Sequence, residues 1–567
     1  MEEESDNLMT RRGSECVNDS QIPFSNFRDL TKRYKNELFI LDRNDSQTFT
    51  KFNLATIGAL LDEREASQRL RRIIIDREQP KFSTTLPKII AKDGKRVLQK
   101  LNIIQQKAVL KALTANDYLL LKGLPGTGKT QTIVAIVSLL AMMGKSVIIT
   151  SHTHSAVDNV LLRLLKENLQ FLRLADPSRV PDEIRNYCEC VLTIDCKTPE
   201  DLKNLYETYN IVGVTCLGSA HPLLVHRTFD VCIVDEATQV LQSTVIRPLI
   251  SANKFLLVGD PEQLPPIVKS KAAKKLGADE SLFARLDSPE ATVVLSLQYR
   301  MNKTIAKLAN SLTYKGELKC ANDTVASSTI ALPNQIASRE KWMVKCLSSH
   351  IDQSVILLNT DNVFNRSEEF SKNFSRKLNY TSEDTTDKSA ETKVKTRTYS
   401  NFCEAGVVLA LINSLVQAGV AGSDIGVIAT FTSQVKLLRN MVDKFEMDIL
   451  QEHRGIEVNT VDQYQGRDKS IIIYSCTKCD NPDAVADGVK DTEILQDFRR
   501  LTVAITRSRH KLIIIGDIKS LNVYTPFKEL FSHLKGMSKL DLNEGKQDFS
   551  WQQVMDKLGV LENKVDV

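Results

Sequence analysis

A strand, a glycine-rich turn and a helix follow one another between Tyr118 and Met143, and few folds can use that succession. The turn reads Gly123-Leu-Pro125-Gly126-Thr127-Gly128-Lys129-Thr130, after the apolar strand Tyr118–Leu121 and before the apolar run Gln131–Met143. Glycines at 126 and 128 let backbone N–H groups curl around phosphate oxygens, and the following helix adds its positive N-terminal end. Lys129 can then reach the β- and γ-phosphates of ATP, while the Thr130 hydroxyl can ligate Mg2+. Such a loop needs an acidic partner at the end of a neighbouring strand, and Phe229-Asp-Val-Cys-Ile-Val-Asp235-Glu236 supplies one. Asp235 is placed to hold Mg2+, and Glu236 to take a proton from the attacking water.

Around these motifs the chain alternates short β-branched strands with amphipathic helices, the pattern of parallel sheets with crossover connections. Strands are expected at Tyr118–Leu121, Ser146–Thr150, Ile211–Thr215, Val231–Val234 and Phe255–Val258. A second series is expected at Val355–Leu358, Gly426–Ala429, Glu457–Val461, Ser470–Tyr474 and Lys511–Ile515. The spacing predicts an α/β protein with two units in tandem, residues 101–290 and 291–521. A polar, acidic leader over 1–20, an accessory region over 21–100 and a tail over 522–567 complete the 567 residues. Helical spacing runs through Leu54, Ile57, Leu60, Leu61, Leu70, Ile73 and Ile74. Residues 361–397 are rich in Ser, Thr, Asp, Lys and Asn and read as a solvated insert.

Composition excludes several classes. With 42% hydrophobic and 26% charged residues the chain is an ordinary globular protein rather than a disordered or fibrous one. Its longest apolar run, Ile133–Met143, falls short of the roughly 20 residues of a membrane helix, so no membrane partner is expected. The N-terminus lacks a signal-peptide core, and the eleven cysteines sit mostly in apolar runs, as in a reducing compartment. Cys188, Cys190 and Cys196, or Cys476 and Cys479, lack the paired spacing of a zinc site. The net charge of +5 leaves nucleic-acid binding to local clusters. Lys269–Lys275 is one small cluster, read as a solvated helix face.

Further motifs follow in order: Leu101-Asn-Ile-Ile-Gln105, Thr150-Ser-His-Thr-His154-Ser155-Ala-Val-Asp158 and Gly259-Asp-Pro-Glu-Gln263-Leu-Pro-Pro266. Then come Leu297-Gln-Tyr299-Arg300-Met301, Val458-Asn-Thr460-Val-Asp-Gln-Tyr464-Gln465-Gly466-Arg467 and Arg500-Leu-Thr-Val-Ala-Ile-Thr506-Arg507. Together with the phosphate loop they resemble superfamily 1 helicases, and more narrowly the DNA replication ATP-dependent helicase/nuclease family. The resemblance covers about Leu101 to Leu521 and implies tandem RecA-like P-loop domains. It implies that Gln105 reads adenine, Tyr299 stacks on it, Gln263 senses the γ-phosphate and Gly466 offers backbone to it. Arg300 and Arg507 would be arginine fingers across the cleft; either one alone would read as a surface salt bridge. Thr150, His154, Ser155, Thr215 and Thr460 would touch a single DNA strand, through hydroxyls and backbone suited to sequence-blind phosphate contacts.

The implied activity is a Mg2+- and ATP-dependent DNA helicase and translocase, moving 5′ to 3′, in replication, flap processing and end resection. The implied partners are single-stranded and forked or flapped DNA, a single-strand-binding protein and resection factors. The implied location is nuclear, with mitochondria as a second site. The chain departs from the family at Thr430-Phe431-Thr432, Gln463 and Thr502, which removes positive character near the motor surface. The family's N-terminal nuclease and its four-cysteine iron–sulfur cluster have no counterpart in the roughly 100 residues before Leu101. The chain is therefore expected to be a helicase half. Two other readings remain: an RNA helicase of the nonsense-mediated-decay type, and a nucleotide-gated DNA clamp without turnover.

Overall fold

The fold is that of a computed structural model, which describes residues 45–86, 88–92, 94–335, 340–361, 400–447, 454–477, 494–534 and 538–542. The expected leader over 1–20 and all but the first residue of the insert lie outside the described residues. Seven parallel strands form the first sheet: β1 Tyr118–Gly123, β2 Val147–Ser151, β3 Leu172–Leu174, β4 Ile211–Thr215, β5 Phe229–Val234, β6 Ala252–Gly259 and β7 Thr292–Leu295. Their order is β3-β4-β2-β5-β6-β1-β7. A short pair, β8 Leu297–Gln298 and β9 Lys319–Cys320, leads into the second unit. The second sheet has six parallel strands, β10 Val355–Asn359, β11 Ile425–Ala429, β12 Glu457–Thr460, β13 Lys469–Ser475, β14 Ser508–Gly516 and β15 Lys539–Asp541. They are ordered β12-β11-β13-β14-β10-β15.

The apolar runs become strands buried on both faces because helices cover each side of a parallel sheet. Alternation at a period of two sends Leu119, Leu121, Val147 and Ile149 into one core of the first unit and Tyr118, Leu120 and Ile148 into the other. The second unit divides likewise, with Ile356, Ile471 and Ile513 on one face and Leu357, Ile472 and Ile514 on the opposite face. Phosphate-loop residue Leu124 and Leu264 of the first unit join the cluster that holds Met301, Ile305 and Tyr314. The two units therefore share one patch of core beside the cleft.

Both expected boundaries of the units shift. β7 pairs with β1 and so belongs to the first sheet, although it lies beyond residue 290. β15, in the expected tail, is the outer strand of the second sheet and pairs with β10. The accessory region is part of the first unit's core rather than a separate body. Its helices Asp45–Leu60 and Glu65–Ile74 bury Leu60, Leu70, Ile73 and Ile74 in the same cluster as Val245 and Leu249 of the helix Gln242–Ile250. The single helical run breaks at Arg64, which is extended and bonds back to Asp62, so Leu54, Ile57 and Leu61 are left exposed.

A buried acid sits at the carboxyl end of the second sheet. Glu404, in the first turn of the helix Phe402–Gln417, accepts from the Ser475 hydroxyl at 2.6 Å and from the Thr477 backbone N–H at 2.9 Å. Burial, reinforced by nearby Asp517, pushes its carboxyl up to about 8 against those hydrogen bonds. A raised acid pKa in the folded state means that stability from neutral Glu404 is full below the ordinary value of 4.5 and is lost as pH rises through about 8. Thermal midpoints measured across that window should fall with pH in the wild type and be nearly flat in Glu404→Gln, once the slope common to both chains is subtracted.

Candidate nucleotide site and strand-contact loops

The phosphate loop leaves the carboxyl end of β1, the position at which parallel α/β sheets bind ligands. Gly126 and Gly128 both adopt left-handed backbone, φ 73° and 78°. A side chain could not be added at either: a Cβ at Gly126 would stand 2.6 Å from Arg300 Cβ, and one at Gly128 2.6 Å from Gln105 Nε2. Lys129 folds its ammonium back onto Gly123 O at 3.0 Å, and the buried Thr127 hydroxyl donates to Leu124 O at 2.7 Å. These residues, with Pro125 and Thr130, line a cleft of about 1150 Å3 between the two units.

Gln105 stands behind the loop. It completes the capping box of the helix Ile103–Thr114, accepting from the Asn102 N–H at 3.1 Å, and donates to Thr127 O at 3.0 Å. Its amide braces the loop from within the core, 5% exposed. Asn102 is what reaches outward, donating to the Tyr299 hydroxyl at 3.0 Å, and the Tyr299 ring remains 47% exposed at the cleft. The motif around Gln105 gave no separate signal for Asn102.

Asp235 follows β5 and is 6% exposed. Burial, then the neighbouring Glu236, raise its carboxyl to about 7, with Lys129 opposing. Its Oδ1 accepts from the Glu236 N–H at 3.0 Å, and its Oδ2 has no hydrogen-bond partner among the described residues. A carboxylate with a free oxygen, pushed toward neutrality, suits a hard divalent cation together with the Thr130 hydroxyl. Glu236 is held in left-handed backbone, φ 50°, a cost that a non-glycine residue bears only where its surroundings impose it. Its Oε2 accepts from Gln239 at 3.3 Å and, across the cleft, from Gln465 at 3.4 Å.

Both candidate fingers face this acid. Gln298 shapes the turn that carries Arg300: its Oε1 accepts from the backbone N–H of Arg300 at 2.8 Å and of Met301 at 2.7 Å, and its Nε2 donates to Met301 O at 2.6 Å. The Arg300 guanidinium donates to Thr506 O at 3.1 Å and pairs with Asp468 at 3.3 Å. Arg507 is buried and donates to Val503 O at 2.9 Å and to Gln263 Oε1 at 3.3 Å. Burial, then the charge of Arg300, lower the Arg507 guanidinium to about 9, so anionic phosphate would relieve a charge the protein leaves undercompensated. Gln263 is fixed in turn by buried Asp260, 2.7 Å away. Gly466 lines the cleft with φ 82° and open space beside its Cα.

The candidate strand contacts separate. Ser155 is exposed at the cleft edge beside Thr153, 3.3 Å from it, and Thr460 is half-buried, capping the turn Val461–Tyr464. Thr150 is wholly buried with its hydroxyl on Cys216 Sγ at 3.4 Å, and Thr215 is 8% exposed, accepting from the Gly218 N–H at 3.2 Å. Neither side chain is turned to a surface, because both faces of these strands are covered. His154 is half-buried, its Nδ1 3.1 Å from Arg173, which is itself fully buried in an ion pair with Asp158 at 2.8 Å. A lone arginine in the apolar stretch Phe171-Leu-Arg-Leu was the available sign of that pair. Among the departures, Thr430 and Thr502 are buried and bonded to Tyr474 and Thr313, whereas Thr432 is exposed and Gln463 lines the cleft.

Removing one partner of a buried ion pair strands the other charge, at about 3–5 kcal/mol. Asp158→Ala should therefore lower the unfolding free energy obtained from a urea titration by that order, whereas Ser155→Ala, at an exposed site, should leave it within about 0.5 kcal/mol of wild type.

Two AAA domain families match the chain, one over residues 100–193 and 192–271, the other over 278–519. Similar proteins include the DNA replication ATP-dependent helicase/nuclease DNA2 of Mus musculus, 38% identical over 528 residues, covering 89% of this chain and 46% of that protein. The protein of that name from Homo sapiens is 37% identical over 526 residues, with the same two coverages of 89% and 46%. That of Saccharomyces cerevisiae is 32% identical over 535 residues, covering 87% of this chain and 32% of that protein. The chain thus spans about half the length of its animal relatives, 46% in mouse. Among solved structures, an Arterivirus nonstructural protein 10 (helicase) superposes with a TM-score of 0.34 at 13% identity, over 75% of this chain and 65% of that one, a likeness that carries no argument. Across its helicase region the chain is homologous to the DNA replication ATP-dependent helicase/nucleases, and its two AAA domains are those of superfamily 1 helicases.

Proposed function

We propose that the chain is an ATP-driven DNA helicase that moves along a single strand. One observation carries this reading: Lys129, Asp235 and Glu236 of the first unit meet Arg300 and Arg507 of the second in a single cleft, joined through Gln263. The reading takes up the helicase part of its relatives' name, in DNA replication, with repair, flap processing and end resection as finer assignments. Tandem RecA-like domains, residues 101–295 and 297–542, are assigned as the two halves of the motor.

The chemistry follows from the side chains. ATP enters with its phosphates on the backbone N–H groups of the loop Gly123–Thr130 and its adenine against Tyr299, while Gln105 braces the loop from behind. Lys129 leaves Gly123 O and turns to the β- and γ-phosphates. Mg2+, held by Thr130 and Asp235, would neutralise charge on the phosphate oxygens. Glu236, its carboxylate fixed by Gln239 and Gln465, orients the attacking water and accepts its proton. Arg300 and Arg507 stabilise the charge that builds on the transferring phosphoryl group, with Gln263 and Gly466 close by. Because these groups arrive from the second unit, hydrolysis requires a closed cleft, and each cycle of closing and opening can advance the bound strand.

Strand contacts are assigned to exposed Ser155 and to the loop ends at His154 and Thr460, with backbone rather than side chain at Thr150 and Thr215. Forked or flapped DNA is the natural substrate of such a motor, 5′ to 3′ its direction, and a single-strand-binding protein and resection factors its partners. The nucleus, with mitochondria as a second site, is its location.

ATP hydrolysis should rise when single-stranded DNA is added and respond less to matched RNA. Lys129→Ala should abolish it. Glu236→Gln should retain ATP binding while turnover falls by about 10²–10⁴-fold. Undiminished turnover in Lys129→Ala overturns the site, and stronger stimulation by RNA overturns the substrate.

A further inference from the structure

One segment of the second unit touches the γ-phosphate machinery from outside every motif read in the sequence. After the helix Lys303–Ala309 the chain makes one π-helical turn, Asn310–Tyr314, and leaves it through two left-handed residues, Lys315 at φ 49° and Gly316 at φ 87°. Single π turns are costly in hydrogen-bond geometry and persist where the side chains they re-aim are needed. Here the turn aims two hydroxyls. Tyr314, 2% exposed, reaches into the first unit and donates to Asp260 Oδ2 at 2.8 Å. Thr313 bonds Thr502 at 2.7 Å, one helical turn before Thr506 and Arg507.

Those two grips fall on either side of the contact between Gln263 and Arg507. On the first unit, Asp260 has no exposure and its carboxylate is committed on both oxygens. Oδ1 accepts from the Glu262 N–H at 3.1 Å, and Oδ2 from Gln263 Nε2 at 2.7 Å and from Tyr314. With its Nε2 on Asp260, Gln263 presents Oε1 to Arg507. On the second unit, the helix Phe498–Ile505 carries Thr502 and delivers Arg507. The π turn therefore spans the cleft as a bracket: it holds the sensor's carboxylate with one residue and the finger's helix with the preceding one. Burial and the facing Asp260 carboxylate hold the Tyr314 phenol well above its ordinary range, so it remains a donor throughout neutral pH.

We propose that Tyr314 is a positioning residue for ATP turnover, its hydroxyl setting the Asp260–Gln263 pair in register with Arg507 and so tying the γ-phosphate sensor to movement of the second unit. The proposal rests on the ATPase reading above and deepens it. Tyr314 touches no substrate. It acts through Asp260, and none of the hydrogen bonds given above for the phosphate loop, Glu236 and the Arg300 turn involves its hydroxyl.

The test is Tyr314→Phe, which removes one buried oxygen and keeps the ring. ATP hydrolysis at saturating single-stranded DNA should show kcat reduced about tenfold with KM for ATP within about twofold of wild type, the split expected when transition-state alignment is lost and ground-state binding is kept. A second readout does not need turnover: the ratio of single-strand affinities with and without a non-hydrolysable ATP analogue should move toward one in Tyr314→Phe. Wild-type kcat, or a loss confined to the thermal midpoint, overturns the proposal, as does an unchanged affinity ratio. If wild-type turnover is no higher than that of Glu236→Gln, the ATPase reading fails by itself, and the affinity ratio still decides the role of Tyr314.

Discussion

The second unit lies directly on the first unit's phosphate loop. The Tyr299 backbone N–H donates to Gly126 O at 2.8 Å, and the Arg300 Cβ occupies the space a side chain at residue 126 would need. Much of the site depends on this approach. It requires glycine at 126, brings Arg300 over the phosphate loop, and leaves the Tyr299 ring exposed at the cleft. A bulkier loop would hold the units apart and carry Arg300 and Arg507 away from Glu236.

The contacts that cross between the units are mostly polar. Gln465 to Glu236, Arg507 to Gln263, Tyr314 to Asp260 and Asn102 to Tyr299 are hydrogen bonds, and the shared apolar patch rests on Leu124 and Leu264. A hydrogen bond exchanged for one to water or phosphate changes the net free energy by about 1 kcal/mol, whereas reopening an apolar core costs in proportion to its area. An interface of this kind can be remade by a ligand that competes for the same donors. Arg507, held in a setting that lowers its own pKa, is the donor with most to gain from an anion.

Much of this was legible in the sequence. Every expected strand is present within a few residues, because continuous β-branched runs bounded by turns have few alternatives in a parallel sheet. The phosphate loop and the acidic pair were legible because their chemistry dictates residue type and order. Three-residue edge strands such as Leu172–Leu174 and Lys539–Asp541 were not, being too short to show a period. Nor was the inward turn of Thr150 and Thr215, since a strand-end threonine reads alike whether it caps a core or meets solvent. Tyr314 was invisible because it owes its place to Asp260, 54 residues away in sequence, and local pattern carries no record of that; the Arg173–Asp158 pair left only the faint sign of an arginine in an apolar stretch.

The Gln298 amide supplies three hydrogen bonds to the turn it precedes, bonds that neighbouring backbone would otherwise have to make. The segment from 298 to 301 is consequently a rigid part whose shape does not depend on the cleft being shut. Any bending between the units would fall outside it, and Arg300 keeps the backbone that Gln298 sets. A turn braced in this way keeps its backbone conformation by itself and has no loop to refold as its surroundings change.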